Sequence, residues 1–158
     1  MNSNYLRSLR IVYFALAMGI VFFMLVTLLL IKVSGPFAQA DITASEKTPF
    51  LIVLIVITVS IFIAYKVIFP RKQDAIKALP TLEKKLLAWR ELCVLQGALI
   101  EAPAFFALVL FLLLGIYTLL VWPLAGLLLF WITQPTRDKL IMEASLTPSE
   151  TAEFDTME

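Results

Sequence analysis

Residues 92–133 are 42 consecutive positions carrying a single formal charge, Glu101. As one helix they would extend about 63 Å, roughly twice the hydrocarbon thickness of a bilayer. No single membrane crossing accommodates such a rod, so the stretch must fold back on itself. Gly115 is the natural place to turn, because glycine leaves the helical region at little cost. Two crossings are therefore expected, over residues 92–114 and 116–133.

Two further apolar runs have the length of a crossing. Residues 11–31 are 21 uncharged positions, and the helix is expected to reach about residue 32. Residues 50–69 are rich in Ile and Val, with Tyr65 and Lys66 placed to anchor at a membrane surface. Composition agrees: 61% of the 158 residues are hydrophobic and 16% charged, against roughly 25% charged in soluble domains. The expected fold is all-α, a polytopic membrane protein of four transmembrane helices (about 11–32, 50–69, 92–114 and 116–133) forming one domain over 1–158.

The basic residues set the orientation. Arg7 and Arg10 precede the first run. Lys66, Arg71, Lys72, Lys77, Lys84, Lys85 and Arg90 fill the connection between the second and third, and Arg137 and Lys139 follow the fourth. That is eleven on one side against Lys32 and Lys47 on the other. Both termini and the central connection are expected on the cytoplasmic side of a bacterial inner membrane. Ala38-Gln39-Ala40 has the look of a signal-peptide cleavage site, but the apolar run before it is too long and Lys32 intervenes, so a retained first span is expected.

Thr81 can cap a helix over about residues 81–91 whose Leu82, Leu86 and Trp89 fall at i, i+4 and i+7. It is expected either to lie along the inner leaflet or to run straight into the third span. Lys84, Lys85 and Arg90 lie toward its other side, as candidate lipid-headgroup contacts or as ordinary positive-inside residues. From about residue 140 the chain turns acidic. Thr147-Pro148-Ser149-Glu150 reads as a capping box with proline at the first helical position, so a short helix in a solvated cytoplasmic tail is expected.

Glu101 is the candidate functional residue. An ionised carboxylate at mid-bilayer depth costs several kcal/mol or more, so it is expected to be protonated, paired or turned to a polar cavity. Gly97, Glu101 and Ala104 share a helix face, and small residues let a neighbouring helix approach. Pro103 cannot donate to the Leu99 carbonyl, leaving an acceptor nearby. Matching depth along the spans brings Gly19 or Ile20, Ser60, and Ala125 or Gly126 to the same level. Ser60 and Thr58 are the expected hydrogen-bond partners, with Gln96 nearer the cytoplasm. No Lys or Arg lies at this depth, so the neutral acid is expected.

Three readings fit Glu101. It is a neutral acid that bonds two helices together, worth about 0.6–2 kcal/mol; it handles protons or cations; or it contacts a partner or ligand. The single cysteine, Cys93, and the lack of histidine remove an intramolecular disulfide and imidazole chemistry. Cys93 reads as packing. No phosphate loop, metal cluster, nucleophile triad or nucleic-acid surface is legible, so neither an enzyme, a metal or cofactor, nor a nucleic-acid partner is expected.

The segment from Gly97 to Val109, Gly-Ala-Leu-Ile-Glu-Ala-Pro-Ala-Phe-Phe-Ala-Leu-Val, resembles the carboxyl-bearing helix of rotary ATPase c-subunits, the proteolipids. The resemblance implies an ion-binding carboxylate at Glu101 in an oligomer. The second span, however, lacks the glycines of that family, and the acid falls on the third span. The wider layout is similar to small uncharacterised four-span proteins of Bacteroidetes. It combines a Leu-Arg-Ile opening, a Leu-Glu-Lys-Lys-Leu connection, a Leu-Ile-Glu-Ala-Pro-Ala-Phe-Phe segment and a last span ending in Gln-Pro-Thr-Arg; this likeness implies no activity. The resulting expectation is a non-enzymatic accessory or structural component of the inner membrane, embedded in lipid as a homo-oligomer or beside another membrane protein. The alternative is a proteolipid-like proton or cation handler using Glu101.

Overall fold

The computed structural model describes residues 5–37 and 44–157, and every regular element among them is helical. In chain order these are α1 (Tyr5–Ser34), α2 (Ala44–Lys77), α3 (Leu82–Leu114), a 3-10 turn (Tyr117–Leu120), α4 (Val121–Ile132), α5 (Arg137–Ala144) and α6 (Pro148–Met157). Three helices are long and apolar enough to cross a membrane: α1, α2 from Lys47 to Lys77, and α3. A fourth candidate arises only if Tyr117–Ile132 is joined to Arg137–Ala144, two pieces bent by 81°. The 3-10 turn and α4 together rise roughly 26 Å, slightly less than a hydrocarbon core. The residues around 38–40, read above for a cleavage site, lie outside the described residues.

The fold-back at Gly115 is as expected, and its cause is local. Gly115 adopts φ +67°, the left-handed region, and its amide donates to the Phe111 carbonyl at 2.8 Å, closing α3. Position 115 also faces Pro36 from the connection after α1. A methyl group there would lie 2.6 Å from the Pro36 ring, so glycine is required twice over.

α3 is the central helix, packed by α1, α2 and α4. Its small residues mark the closest approaches. A Cβ on Gly97 would come within 2.8 Å of Leu16 in α1 and 3.5 Å of Phe130 in α4, while Ala104 lies under Gly126 of α4. The small-residue face thus serves α1 and α4. α3 buries much of its apolar window inside the chain, whereas α1 and α2 bury little of theirs. Lipid tails are as apolar as leucine, so such faces are satisfied by bilayer or by another helix.

Of the two arrangements expected for residues 81–91, the structure has the second. Residues 82–91 are the opening turns of α3 itself, continuous with the span. Thr81 occupies the cap position with an extended backbone, but its side chain makes no capping bond. Leu82, Leu86 and Trp89 are buried with Leu6, Ile76, Leu140, Ala144 and Phe154 in one apolar cluster. The amphipathic stripe is therefore covered by protein and does not rest on lipid.

What covers it is the acidic tail. The capping box forms: the Thr147 amide donates to Glu150 Oε2 at 2.8 Å and the Glu150 amide to Thr147 Oγ1 at 3.3 Å. Yet α6 is docked, with Phe154 1% exposed and its ring edge-on to Tyr5 at 6.3 Å. The expectation of a solvated tail is corrected. Leu140, Ala144, Leu146 and Phe154 supply enough apolar surface to outweigh the surrounding acids, at about 1.5–3 kcal/mol for each large side chain buried.

Candidate functional site

Glu101 lies half-buried on the α1 side of α3, directly opposite Gly19. A Cβ built on Gly19 would be 3.5 Å from Glu101 Oε1 and 3.8 Å from the Phe105 ring. Toward the C-terminal ends of both helices the α1–α3 seam is aromatic, with Phe23 and Phe105 rings 5.3 Å apart. Toward their N-terminal ends, Leu16 packs on Gly97. No hydrogen bond or ion pair joins the Glu101 carboxyl to another described residue. Nor do the described residues contain a group of three or more His, Cys, Asp or Glu placed to hold a metal ion.

Depth matching placed Gly19 level with Glu101, and the two do meet. The choice of partner on α2 is corrected. Ser60 is on an exposed face of α2. Thr58 turns toward α4, donating to its own Leu54 carbonyl at 2.8 Å and accepting from Trp122 Nε1 at 3.0 Å. Trp122 is thus a tie between two helices; a part-buried indole N–H needs an acceptor, and Thr58 is in reach.

Gln96 joins a different polar group. Tyr13 of α1 donates to the Cys93 carbonyl at 2.9 Å and lies 3.4 Å from Gln96 Oε1, while Gln96 Nε2 donates to Tyr65 Oη of α2 at 3.2 Å. Three long helices are tied by this relay. Gln96 is about 7.5 Å of rise and 140° of rotation from Glu101, so the two do not share a microsite. Tyr13 went unnoticed in the sequence. Its signal was a phenol inside an apolar span, whose hydroxyl has to find an acceptor. Cys93 packs as expected, 4% exposed.

Between α2 and α4, floored by α3, lies a cleft of about 470 Å³ whose walls include Thr58, Tyr65, Gln96, Pro103, Trp122 and Gly126. That size falls within the ordinary range for small-molecule pockets. A hollow of about 200 Å³ adjoins it toward α5, sharing Tyr65, Gln96 and Thr133 and adding Lys139 and Glu143. Lys139 donates to the Ile132 and Gln134 carbonyls, and Glu143 accepts from Trp89 Nε1 at 2.7 Å. Pro103 is placed in this cleft, on the side of α3 away from Gly19.

Of the three basic residues considered for lipid, Lys84 and Arg90 are exposed but Lys85 is not. Lys85 is buried and paired with Glu150 of α6 at 2.9 Å. Glu150 is held below the usual carboxylate range, first by the Thr147 amide and then by Lys85. Arg137 similarly lowers Asp155 through a two-pronged contact at 2.9 and 2.7 Å. These charges lock α6 down.

Helical architecture and apolar spans define a class, an α-helical protein with membrane-spanning character. Comparisons with protein-family models, with curated proteins and with solved structures each find no match.

Proposed function

We propose that this chain is a non-enzymatic, four-span protein of the bacterial inner membrane, with both termini cytoplasmic, acting as an accessory component of a membrane assembly. In this reading Glu101 is carried as the neutral acid and makes its hydrogen bond to a helix of another polypeptide. One observation carries it: the Glu101 carboxyl is half-buried in the α1–α3 seam with no bonding partner among the described residues. A carboxylic acid in hydrocarbon gains from any acceptor or donor brought to it, and Gly19 leaves room beside it. The exposed apolar faces of α1 and α2 offer the accompanying surface.

The test is photo-crosslinking in native membranes from a reactive residue at Met18, which is exposed beside Gly19. Wild type and Glu101→Gln, which keeps hydrogen-bonding capacity, are expected to give the same adduct, and Glu101→Leu to lose it. An adduct unchanged in Glu101→Leu would sink the proposal. Proton or cation handling predicts a different pattern. Hydrophobic carbodiimide would modify Glu101, with protection by Na⁺ or raised pH, and Glu101→Gln would assemble normally yet abolish ion flux.

A further inference from the structure

At the cytoplasmic end of α1, a surface hollow of about 580 Å³ is lined by Leu6, Arg7, Arg10, Ile11, Phe14 and Arg137. We infer that this hollow is a binding site for one anionic phospholipid of the inner leaflet. Its phosphate would lie at the guanidinium groups of Arg7 and Arg10, beside the Asp155-paired Arg137, and an acyl chain along Ile11 and Phe14. The inference rests on the membrane-embedded orientation proposed above and on nothing about Glu101.

Three features support it. First, the arginines come from places far apart in the chain: Arg7 and Arg10 lie one turn apart on α1, and Arg137 is the first residue of α5. Only the fold brings them to one hollow. Charge is left over there. Asp155 engages Arg137 at 2.7 Å, but no carboxylate among the described residues pairs with Arg7 or Arg10. Arg10 spends its Nε on the Pro135 carbonyl at 3.2 Å, which fixes the guanidinium and leaves its terminal nitrogens for a ligand. Planar guanidinium forks suit phosphate oxygens.

Second, the hollow changes character along α1. Arg7 and Arg10 lead within one turn to Ile11, 59% exposed, and Phe14, 68% exposed, and the same helix face continues through Met18, Phe22 and Leu25, all exposed. A soluble anion matches only the first half of that gradient. A phosphate esterified to hydrocarbon matches both halves. Third, the level is right. The arginines sit where α1 enters its apolar run and where α4 has just ended, the height of the headgroup layer, and basic pockets at that level bind acidic headgroups.

The inference also reassigns the lipid contact. Lys84, Lys85 and Arg90 were the candidates from sequence, but Lys85 is spent on Glu150, and Lys84 and Arg90, exposed on α3, do not line the hollow.

The test is native mass spectrometry of the full chain released from nanodiscs of phosphatidylcholine doped with phosphatidylglycerol. Wild type is expected to retain one phosphatidylglycerol in preference to phosphatidylcholine. Arg7→Gln/Arg10→Gln is expected to weaken this roughly thirtyfold, taking about 1 kcal/mol per basic residue and tenfold per 1.4 kcal/mol. Lys84→Gln/Arg90→Gln is expected to match wild type. Circular dichroism checks that each variant is folded, and Arg7→Lys/Arg10→Lys, which keeps the charge, recovers part of the binding should the glutamine pair unfold. Equal retention of the two lipids, or loss in the Lys84/Arg90 variant instead, overturns the site. Displacement of the bound lipid by inorganic phosphate alone would show that the headgroup, without the acyl chain, is what is recognised, and would also overturn it. Correct insertion with failed lipid selectivity separates this inference from the topology beneath it.

Discussion

The Glu101 carboxyl of α3 faces Gly19 of α1, and a methyl group added at Gly19 would meet Glu101 Oε1 at an ordinary contact distance, 3.5 Å. An acid thereby occupies the seam between two spans without forcing them apart. The seam has graded tolerance. Gly19→Ala is expected to be close to neutral, and helix propensity favours it by up to about 1 kcal/mol. Gly97→Ala must displace Leu16 Cδ1 from 2.8 Å. Gly115→Ala must hold φ +67° and also move Pro36, so it is expected to cost most, above the roughly 1–2 kcal/mol of the left-handed conformation alone. Melting temperatures in mild detergent should rank 19 above 97 above 115. A damaging Gly19→Ala would overturn this ranking.

Lys85 and Glu150 form an ion pair whose lysine is buried and whose carboxylate is partly so. Removing one partner leaves the other uncompensated, which is worse than removing both. Lys85→Met and Glu150→Gln are each expected to destabilise the docking of α6 by about 1–3 kcal/mol, and the double variant by less than their sum. Glu150→Ala also loses the capping box with Thr147, adding about 0.5–2 kcal/mol. Denaturant titration of the four proteins supplies the coupling energy. Strict additivity would mean that the pair contributes nothing.

Acid should release α6. Glu150, through the Thr147 amide and Lys85, and Asp155, through Arg137, both titrate below their ordinary range when docked. A docked state with the lower pKa binds fewer protons than the released one. Its stabilisation is therefore complete above the unfolded value of about 4 and is lost as pH falls through the docked value. A polarity-sensitive dye at Ser149→Cys should report steady docking near neutrality and release below about pH 4. Release on raising the pH would contradict the sign.

Phe154 is a core residue and not part of a free tail. Phe154→Ala is expected to cost about 3–5 kcal/mol, as for other buried aromatic truncations. Proteolysis between α5 and α6 should accelerate in step. A variant as resistant as wild type would mean that α6 contributes no stability.

The four-span orientation has its own check. Single cysteines at Ser45 and Ser149 should label from opposite sides of sealed vesicles, and Cys93, being buried, should not react. Labelling of both from one side would remove the fourth crossing and leave three.

The sequence by itself determined which segments are apolar enough to leave water and where the longest must turn. It also determined that the Thr147–Glu150 box starts a helix. Each of these is a local property: residue hydropathy summed over a span, a glycine able to take positive φ, a hydroxyl three residues before an acid. Depth could be counted along each span too, which is why Gly19 and Glu101 were matched. Rotation of one helix about its axis relative to the others could not be read this way, because nearly every position in the runs 11–31 and 50–69 is apolar and no stripe marks the inward face. Only the tertiary structure decided that Glu101 turns to α1, that Thr58 turns to Trp122, that Gln96 links Tyr13 and Tyr65, and that Lys85 is claimed by Glu150 65 residues away. In hydrocarbon, helix facing is settled by the fit of small residues and the pairing of a few polar groups, and that fit exists only once the helices are together.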